Sequence, residues 1–404
     1  MQLTPEQEAF GQDLRDYLET EVEPDVDELD RNGPMSRDRM LDYMGDLREL
    51  GVGHDPGTVE EYFGDLWRFA IASEEISRVW PSLNVALQMS FPAVFVEHAG
   101  ERTRETMLPR LEDGQCIGCL AVTEPDGGSD TARPDVVAEY DEDEELYTLR
   151  GEKTWVGNGG VADVALVVAE DERTGVSDMF LVDYENEPWA AESIDKLGWK
   201  GVDNARMDFT GCRVPPENKL MNIVGNAMAD GHGMSDIVPF PESVTDLFAR
   251  QKPLNATFSF MRTGMAFMAV GIMQAAFEEA LAYVDERETF GKPIAGHQLV
   301  QGKLYEMNAA LVASRGTARR AAEALESGAP EARRLTSLAK GYCCERSKDV
   351  TDEAIQVFGG EGLKTERRLE RYYRDARTMT IPDGTTEIQK LIVGKELTGT
   401  SAYN

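Results

Sequence analysis

Basic charge is what this sequence has least of. No lysine occurs before Lys153, and the chain sets 41 Lys and Arg against 74 Asp and Glu, a formal net charge of −33. A nucleic-acid binder needs a basic face to neutralise phosphates, and this balance argues against that class. It disfavours docking on an anionic membrane surface for the same reason. No apolar run stands out at the ~18–20 residues that a membrane span needs, so no membrane association is expected. Met1–Asp13 lacks the basic and apolar regions of a secretory leader, and the expected compartment is the cytoplasm.

Cysteine is scarce as well, at Cys116, Cys119, Cys212, Cys343 and Cys344. Cys116-Ile-Gly-Cys119 has the spacing of a metal knuckle, but no second pair and no His-x-x-x-His completes a zinc set, so no metal is expected. The pair lies in an apolar, strand-like run and reads as buried small side chains in a reducing compartment.

Acid, in contrast, is abundant. Runs such as Glu21–Asp27 and Asp141–Glu145 read as a solvated surface. Such a surface repels itself in dilute buffer and is screened in strong salt, where the Debye length falls to ~3 Å at 1 M. A salt-adapted, halophilic protein is the expectation. With apolar residues at 41% and aromatics at 8% the chain is a folding one. Its 404 residues suggest two or three domains at ~100–200 residues each.

Periodicity divides the chain into three. Residues 1–115 read as helices, opened by the capping box Thr4-Pro-Glu-Gln7 and by a similar pattern at Thr58 and Glu61. Residues 116–225 carry short β-rich stretches at Ile117–Val122, Leu146–Leu149, Val164–Val168 and Met179–Val182. Residues 226–404 begin with a Gly-, Pro-, Met- and Asp-rich segment at about 226–256, where no long helix can be placed. Long helices are then expected over Met261–Arg287, Gln298–Glu326 and Leu335–Phe358, with a last one after Asp383-Gly-Thr.

The chemistry-bearing stretches are each ambiguous alone. Ala121-Val-Thr-Glu-Pro-Asp-Gly-Gly-Ser-Asp130 ends a strand in a loop whose N–H groups can receive an anion or a polar ring edge, or is an ordinary Asx loop. Trp155, before a Gly-rich turn, is either core or a flat face for an aromatic cofactor. Arg287 closes a helix as a cap or as a phosphate clamp. Asp383 stands before a helix and is, at its plainest, an N-cap.

Taken in order, TEPxxGSD, GxKxW with an Asn-Gly turn, RxTFG, QxxGG and a carboxylate-Gly-Thr triplet resemble the acyl-CoA dehydrogenase family over nearly the whole chain. The resemblance implies an α+β fold: an N-terminal helical domain, a central β-barrel-like or orthogonal β domain, and a C-terminal four-helix bundle. It implies bound FAD and α,β-dehydrogenation of an acyl-CoA thioester to the 2-enoyl-CoA. Electron-transfer flavoprotein would be the acceptor, and a homotetramer the assembly. Leu120, Val122, Thr123, Ser129, Trp155, Val156 and Gly157 match its first flavin-binding stretches, with Ser129 also at the CoA. Arg287, Thr289, Phe290, His297, Gln298, Gln356, Val357, Gly359 and Gly360 match residues that hold the FAD of a neighbouring subunit. Thr385 and Glu387 fall at the adenosine part, and Arg262 and Gly384 at the substrate.

In that family a carboxylate removes the α-proton while the β-hydrogen leaves as hydride to the flavin, which makes Asp383 the expected base. The chain departs from the pattern in three places. The base is Asp rather than Glu, and Met261 closes off an alternative Glu position on the long helix. Gly157 stands where the family has a Thr. The segment at about 226–256 is extra, and reads equally as a lid or as a surface excursion. Ser82 occupies the approximate place of an arginine found in glutaryl-CoA dehydrogenases, which disfavours a dicarboxylic substrate. The other readings to weigh are an oxygen-using acyl-CoA or nitroalkane-type oxidase and a weakly catalytic flavin-binding paralogue.

Overall fold

The computed structural model describes residues 3–131, 133–248 and 253–402. Its first part is helical: α1 (Pro5–Tyr17) runs through a π turn into α2 (Glu23–Asn32), followed by α3 (Arg37–Glu49), α4 (Val59–Phe63), α5 (Leu66–Val79), α6 (Pro81–Met89), a 3-10 stretch (Phe91–His98) and α7 (Glu101–Glu112). The capping box forms as expected, with Thr4 Oγ1 accepting from Gln7 N–H and Gln7 Oε1 from Thr4 N–H. The similar pattern at Thr58 does not cap: Thr58 donates its hydroxyl to Asp55 at 2.6 Å instead.

The β part holds β1 (Gly118–Ala121), β2 (Val137–Asp141), β3 (Leu146–Arg150), β4 (Glu152–Gly157), β5 (Val164–Asp171), β6 (Val176–Asp183), β7 (Ala190–Ser193), β8 (Asn204–Asp208) and β9 (Arg213–Val214). Six of these form one sheet, in which β5 pairs antiparallel with β6 on one edge and parallel with β1 and then β2 on the other. The other three form a separate antiparallel sheet in the order β4-β8-β7. Both faces of β5 are buried over Val164–Ala169, which explains its unbroken apolar run.

After β9 the chain forms α8 (Leu220–Ala229), α9 (Met234–Ile237) and α10 (Glu242–Phe248). The long helices follow: α11 (Pro253–Glu286), α12 (Gln298–Glu326) and α13 (Ala332–Phe358), then α14 (Arg368–Thr378) and α15 (Thr386–Thr398). A small hairpin of β10 (Glu288–Thr289) and β11 (Lys292–Pro293) joins α11 to α12. Within the bundle α13 packs against α11, α12, α14 and α15.

One expectation is corrected here. Asn255–Glu286 is long and apolar enough by length and composition to cross a membrane. Its apolar side chains pack inward against α5, α12 and α13, the setting of a core helix. The approach to α5 is so close that a Cβ on Gly271 would lie 2.2 Å from the Glu74 carbonyl oxygen, which only glycine permits.

The extra segment is in part internal: among its described residues 237–240 are buried, while 228–236 are mostly exposed. Phe240, 2% exposed, stacks between Phe91 and Phe260 at ring-centroid distances of 4.7 and 4.5 Å. Phe63 and Phe69 complete the cluster. Met234 and Val238 help to wall an apolar cavity of about 350 Å³ beside Phe91, Leu120 and Met179.

The three parts meet at a buried acidic junction. Asp375 of α14 accepts the Trp199 N–H at 2.6 Å, and Arg374 reaches Asp30 of α2 at 2.6 Å. Burial, and then the Asp30 carboxylate, push Asp375 up to about 7. A carboxyl raised in the fold stabilises most at acid pH, and that contribution is lost as pH rises through about 7. Asp375→Asn keeps the acceptor for Trp199 and removes the ionisation. It is expected to raise thermal stability at pH 8, by less at pH 5 and hardly at all at pH 3, as read by calorimetry at the three pH values.

Candidate active site

The turn between α14 and α15 is tied down by three helices. Asp383 carbonyl oxygen accepts from Arg262 Nε of α11 at 3.1 Å and from Gln389 Nε2 of α15 at 2.9 Å. Gly384 carbonyl oxygen accepts from the same Gln389 Nε2 at 2.9 Å and from Lys340 Nζ of α13 at 2.9 Å. Both residues have left-handed backbone, with φ of 55° and 90°. A left-handed aspartate is uncommon and persists where its surroundings over-determine it. A Cβ at position 384 would lie 2.8 Å from Gln389 Nε2, so glycine is required there.

Asp383 is not a helix cap. The N-cap of α15 is Thr385, whose hydroxyl accepts the Ile388 N–H at 3.4 Å, and Glu387 sits in the first turn behind it. Asp383 is therefore released from the plain structural role its position suggested. Burial raises its carboxyl above the usual carboxylate range, while the Lys340 and then the Arg262 cations pull it back down. Its backbone N–H donates to no acceptor among the described residues.

The second wall comes from β4. A register shift between Lys153 and Val156 makes a bulge at Trp155, whose φ is 60° and whose carbonyl accepts from Asn204 Nδ2 at 2.9 Å. Bulges re-aim a side chain, and here the indole is turned outward to 54% exposure. Trp155 is thus a presented face and not core. Val156, by contrast, is 2% exposed, and its side chain belongs to the core; only its backbone can meet a ligand. Gly157 has a physical reason: a Cβ there would lie 2.8 Å from Met89 Cγ. Met89 fills the place a larger side chain would take.

Contacts join the two walls. Met89 at the end of α6 touches Gly157, its neighbour Gln88 touches Gly264 on α11, and Gly264 lies half a turn beyond Arg262. Asn158 locks this corner, donating to Ala86 O at 2.8 Å and to Gly118 O at 3.2 Å.

Beneath the loop after β1 lies an ion pair that local sequence patterns do not reveal. Lys153, fully buried, donates to Glu124 Oε1 at 2.7 Å and to Val122 O at 3.1 Å. Glu124 also accepts the N–H groups of Asp135 and Val136. Burial raises its carboxyl, but these donors outweigh it and hold the group below the usual range. Thr123 and Val122 are thereby fixed half-buried at the edge, with Leu120 lining the apolar cavity and Ser129 exposed beyond.

The remaining candidates gather elsewhere. Arg287, Phe290, Gln298, Gln356, Gly359 and Gly360 are exposed, while Val357 is buried in the core. His297 Nε2 lies 3.3 Å from Thr289 Oγ1, and Tyr283 stacks on Phe358 at 3.9 Å, so the ends of α11 and α13 meet. Arg262 and Arg287 are both carried by α11 or its end, roughly 37 Å apart at ~1.5 Å per residue. One chain thus presents two separate half-sites. Ser82 is fully buried and accepts the Gly201 N–H at 3.2 Å, so it faces no ligand.

This architecture recurs in known proteins. Family models match in chain order: the N-terminal domain of acyl-CoA dehydrogenase over 4–115, the middle domain over 119–212 and the C-terminal domain over 253–398. A mitochondrial isovaleryl-CoA dehydrogenase of Solanum tuberosum is 30% identical over 403 residues, covering 97% of this chain and 90% of its own. The chain belongs to the acyl-CoA dehydrogenase family. A short-chain specific acyl-CoA dehydrogenase of Clostridium acetobutylicum is also 30% identical, with 98% of each covered. The solved butyryl-CoA dehydrogenase of Megasphaera elsdenii superposes with a TM-score of 0.82 at 27% identity, covering 98% and 99%. This acyl-CoA dehydrogenase family member keeps the three-domain helix–sheet–helix order, and the models leave 213–252, which include most of the extra segment, between their matches.

Proposed function

We propose that the protein dehydrogenates an acyl-CoA thioester with Asp383 as the α-proton base. The observation that carries this reading is the Asp383 carboxylate itself: half-buried, freed from capping, and carried on a left-handed turn whose carbonyls are held by donors from three helices. An acyl α-proton is too weakly acidic for a carboxylate in water, so the thioester oxygen must be polarised as the proton leaves. The unengaged Asp383 N–H is the donor this chain offers for that oxygen. A desolvated carboxyl is also a stronger base than an exposed one, which suits it to accept the proton.

The residues present fit the family's FAD. Trp155 offers a flat apolar face at a bulge, Thr123 a hydroxyl beside it, and the exposed Arg287, Gln356, Gly359 and Gly360 a cation, an amide and an open backbone at the far half-site. When bound, FAD supplies the acceptor for the β-hydrogen and its electron pair. Because the half-sites stand so far apart, the far one serves a second copy. Phe290 at 97%, Leu299 at 84% and Tyr305 at 70% exposure support a homotetramer or dimer that buries them. Electron-transfer flavoprotein is the proposed acceptor. Anaerobic mixing of the yellow protein with a panel of acyl-CoAs tests this reading. Bleaching by at least one supports it, and no bleaching by any argues for a flavin-binding paralogue.

Gly157, with Met89 in the space beside it, favours one second reading: an oxidase that uses oxygen directly. Peroxide formed in step with turnover in air would distinguish it. A salt-adapted cytoplasmic protein remains the reading of the −33 charge. Unscreened carboxylates are then expected to loosen subunits in dilute buffer, so thermal stability and FAD retention should both rise on going to molar KCl.

A further inference from the structure

We propose that Lys340 is a positioning residue for the base: its buried ammonium ties the Asp383–Gly384 turn to the bundle and supplies the counter-charge that the Asp383 carboxylate faces. The proposal rests on Asp383 being the base.

Lys340 is fully buried in the middle of α13, flanked by Ala339, Cys343 and Cys344, which are also fully buried. Lysine almost never takes such a place without a partner, because desolvating an ammonium is costly. Its one acceptor is Gly384 O, at 2.9 Å. No carboxylate forms an ion pair with it among the described residues. Of the hydroxyls on α13, Thr336 is spent on Arg333 O, Ser347 on Cys344 O and Thr351 on Ser347 O, while the buried Ser337 hydroxyl, one turn before Lys340, makes no hydrogen bond to it. A leucine or methionine would fill this space without that cost. The charge is therefore kept for something else in reach, and what lies in reach is the turn that carries Asp383.

The charges around the pair can be named element by element. From α11 comes Arg262, which holds the Asp383 carbonyl. On α13 itself are Cys344 and Glu345, the latter engaged by Lys348 and by the Thr386 hydroxyl. From α15 the contact is the uncharged Gln389. Two cations thus hold the main-chain carbonyls of the turn that carries the carboxylate. The Lys340 cation is the larger of the two influences lowering the Asp383 carboxyl, ahead of Arg262, while burial and the Arg262 charge together work against Lys340 keeping its own proton. Removing Lys340 leaves burial opposed by Arg262 alone, and Asp383 should then hold its proton to higher pH.

The test is the pH dependence of flavin reduction in the FAD-loaded enzyme, comparing wild type with Lys340→Met, Lys340→Gln and Lys340→Arg. The acid limb of kcat/KM is expected to move to higher pH by about one unit or more in Met and Gln. In Arg, which keeps the charge, it should return toward the wild-type position. Gln retains a donor for Gly384 O, so a shift in Gln separates charge from tethering and from any loss of fold in Met. An acid limb in Lys340→Gln or a folded Lys340→Met that coincides with wild type overturns the proposal, whatever the change in stability. If Asp383→Asn already reduces its flavin at the wild-type rate, the base assignment fails independently of Lys340.

Discussion

Asp383→Asn is expected to leave FAD bound and to slow flavin reduction by the ~10²–10⁴-fold that a positioned general base contributes. The substitution keeps the size of the side chain and the backbone N–H. It also keeps the carbonyl contacts to Arg262, Gln389 and Lys340, which are made by the main chain. What it removes is a group able to take a proton at neutral pH. The wild-type rate should fall at acid pH as well, with its limb above the ordinary carboxylate range, because burial raises the Asp383 carboxyl. Rapid mixing under anaerobic conditions reads both effects. Asp383→Glu reports on the backbone: the left-handed turn is fixed by three donors, so the longer side chain must reach further into the site rather than pull the turn back.

The second large effect is expected at the loop after β1. Lys153→Met should destabilise the protein by about 3–5 kcal/mol, the usual result of removing one partner of a buried ion pair. Glu124 would keep its two backbone donors but lose its counter-ion, and Val122 O would lose its donor. FAD retention should fall with it, since Val122 and Thr123 sit on that loop. The double variant Lys153→Met with Glu124→Gln should recover a large part of the loss, which denaturant titration of the single and double variants will read. The sign of the pH dependence follows from Glu124 being held below the usual range. Its share of stability is present above the ordinary carboxylate value and is lost as pH falls through the folded value.

Much of the helical framework was legible because it repeats locally. Gln298–Glu326 has the bounds its periodicity predicts, and Ala332–Phe358 begins only three residues earlier than expected. The four β-rich stretches all appear as strands, but β2, β4, β7, β8 and β9 lie outside them; in β7 every residue of Ala190–Ser193 is exposed, so no apolar alternation marks it. The segment at about 226–256, read as holding no long helix, has only short ones before α11 begins at Pro253, and its packing was not legible for a different reason. Its helices are short, and Phe240 earns its burial from Phe91 and Phe260, far away in the chain.

The site shows the same division. Residues that act through chain order, such as Trp155 and the Asp383-Gly384 turn, could be picked out from motif spacing. Those that act through burial could not. Lys153 and Glu124 are 29 residues apart, Lys340 and Gly384 are 44 apart, and Met89 meets Gly157 only once the helical and β parts are packed together. A signal did exist for Lys340: it is a lone cation within the apolar and small-residue stretch Leu335–Cys344, in a chain with few lysines to spare.

The central claim is that Asp383 takes the α-proton, and hydride transfer need not be observed to test it. (Methylthio)acetyl-CoA has α-protons but carries sulfur at the β position, so it can be deprotonated and not dehydrogenated. Incubated with the FAD-loaded enzyme in D2O and followed by proton NMR, its α-protons should exchange for deuterium with wild type. With Asp383→Asn they should exchange no faster than without enzyme. Equal exchange rates with wild type and Asp383→Asn would contradict the account, because some other group would then be removing the proton.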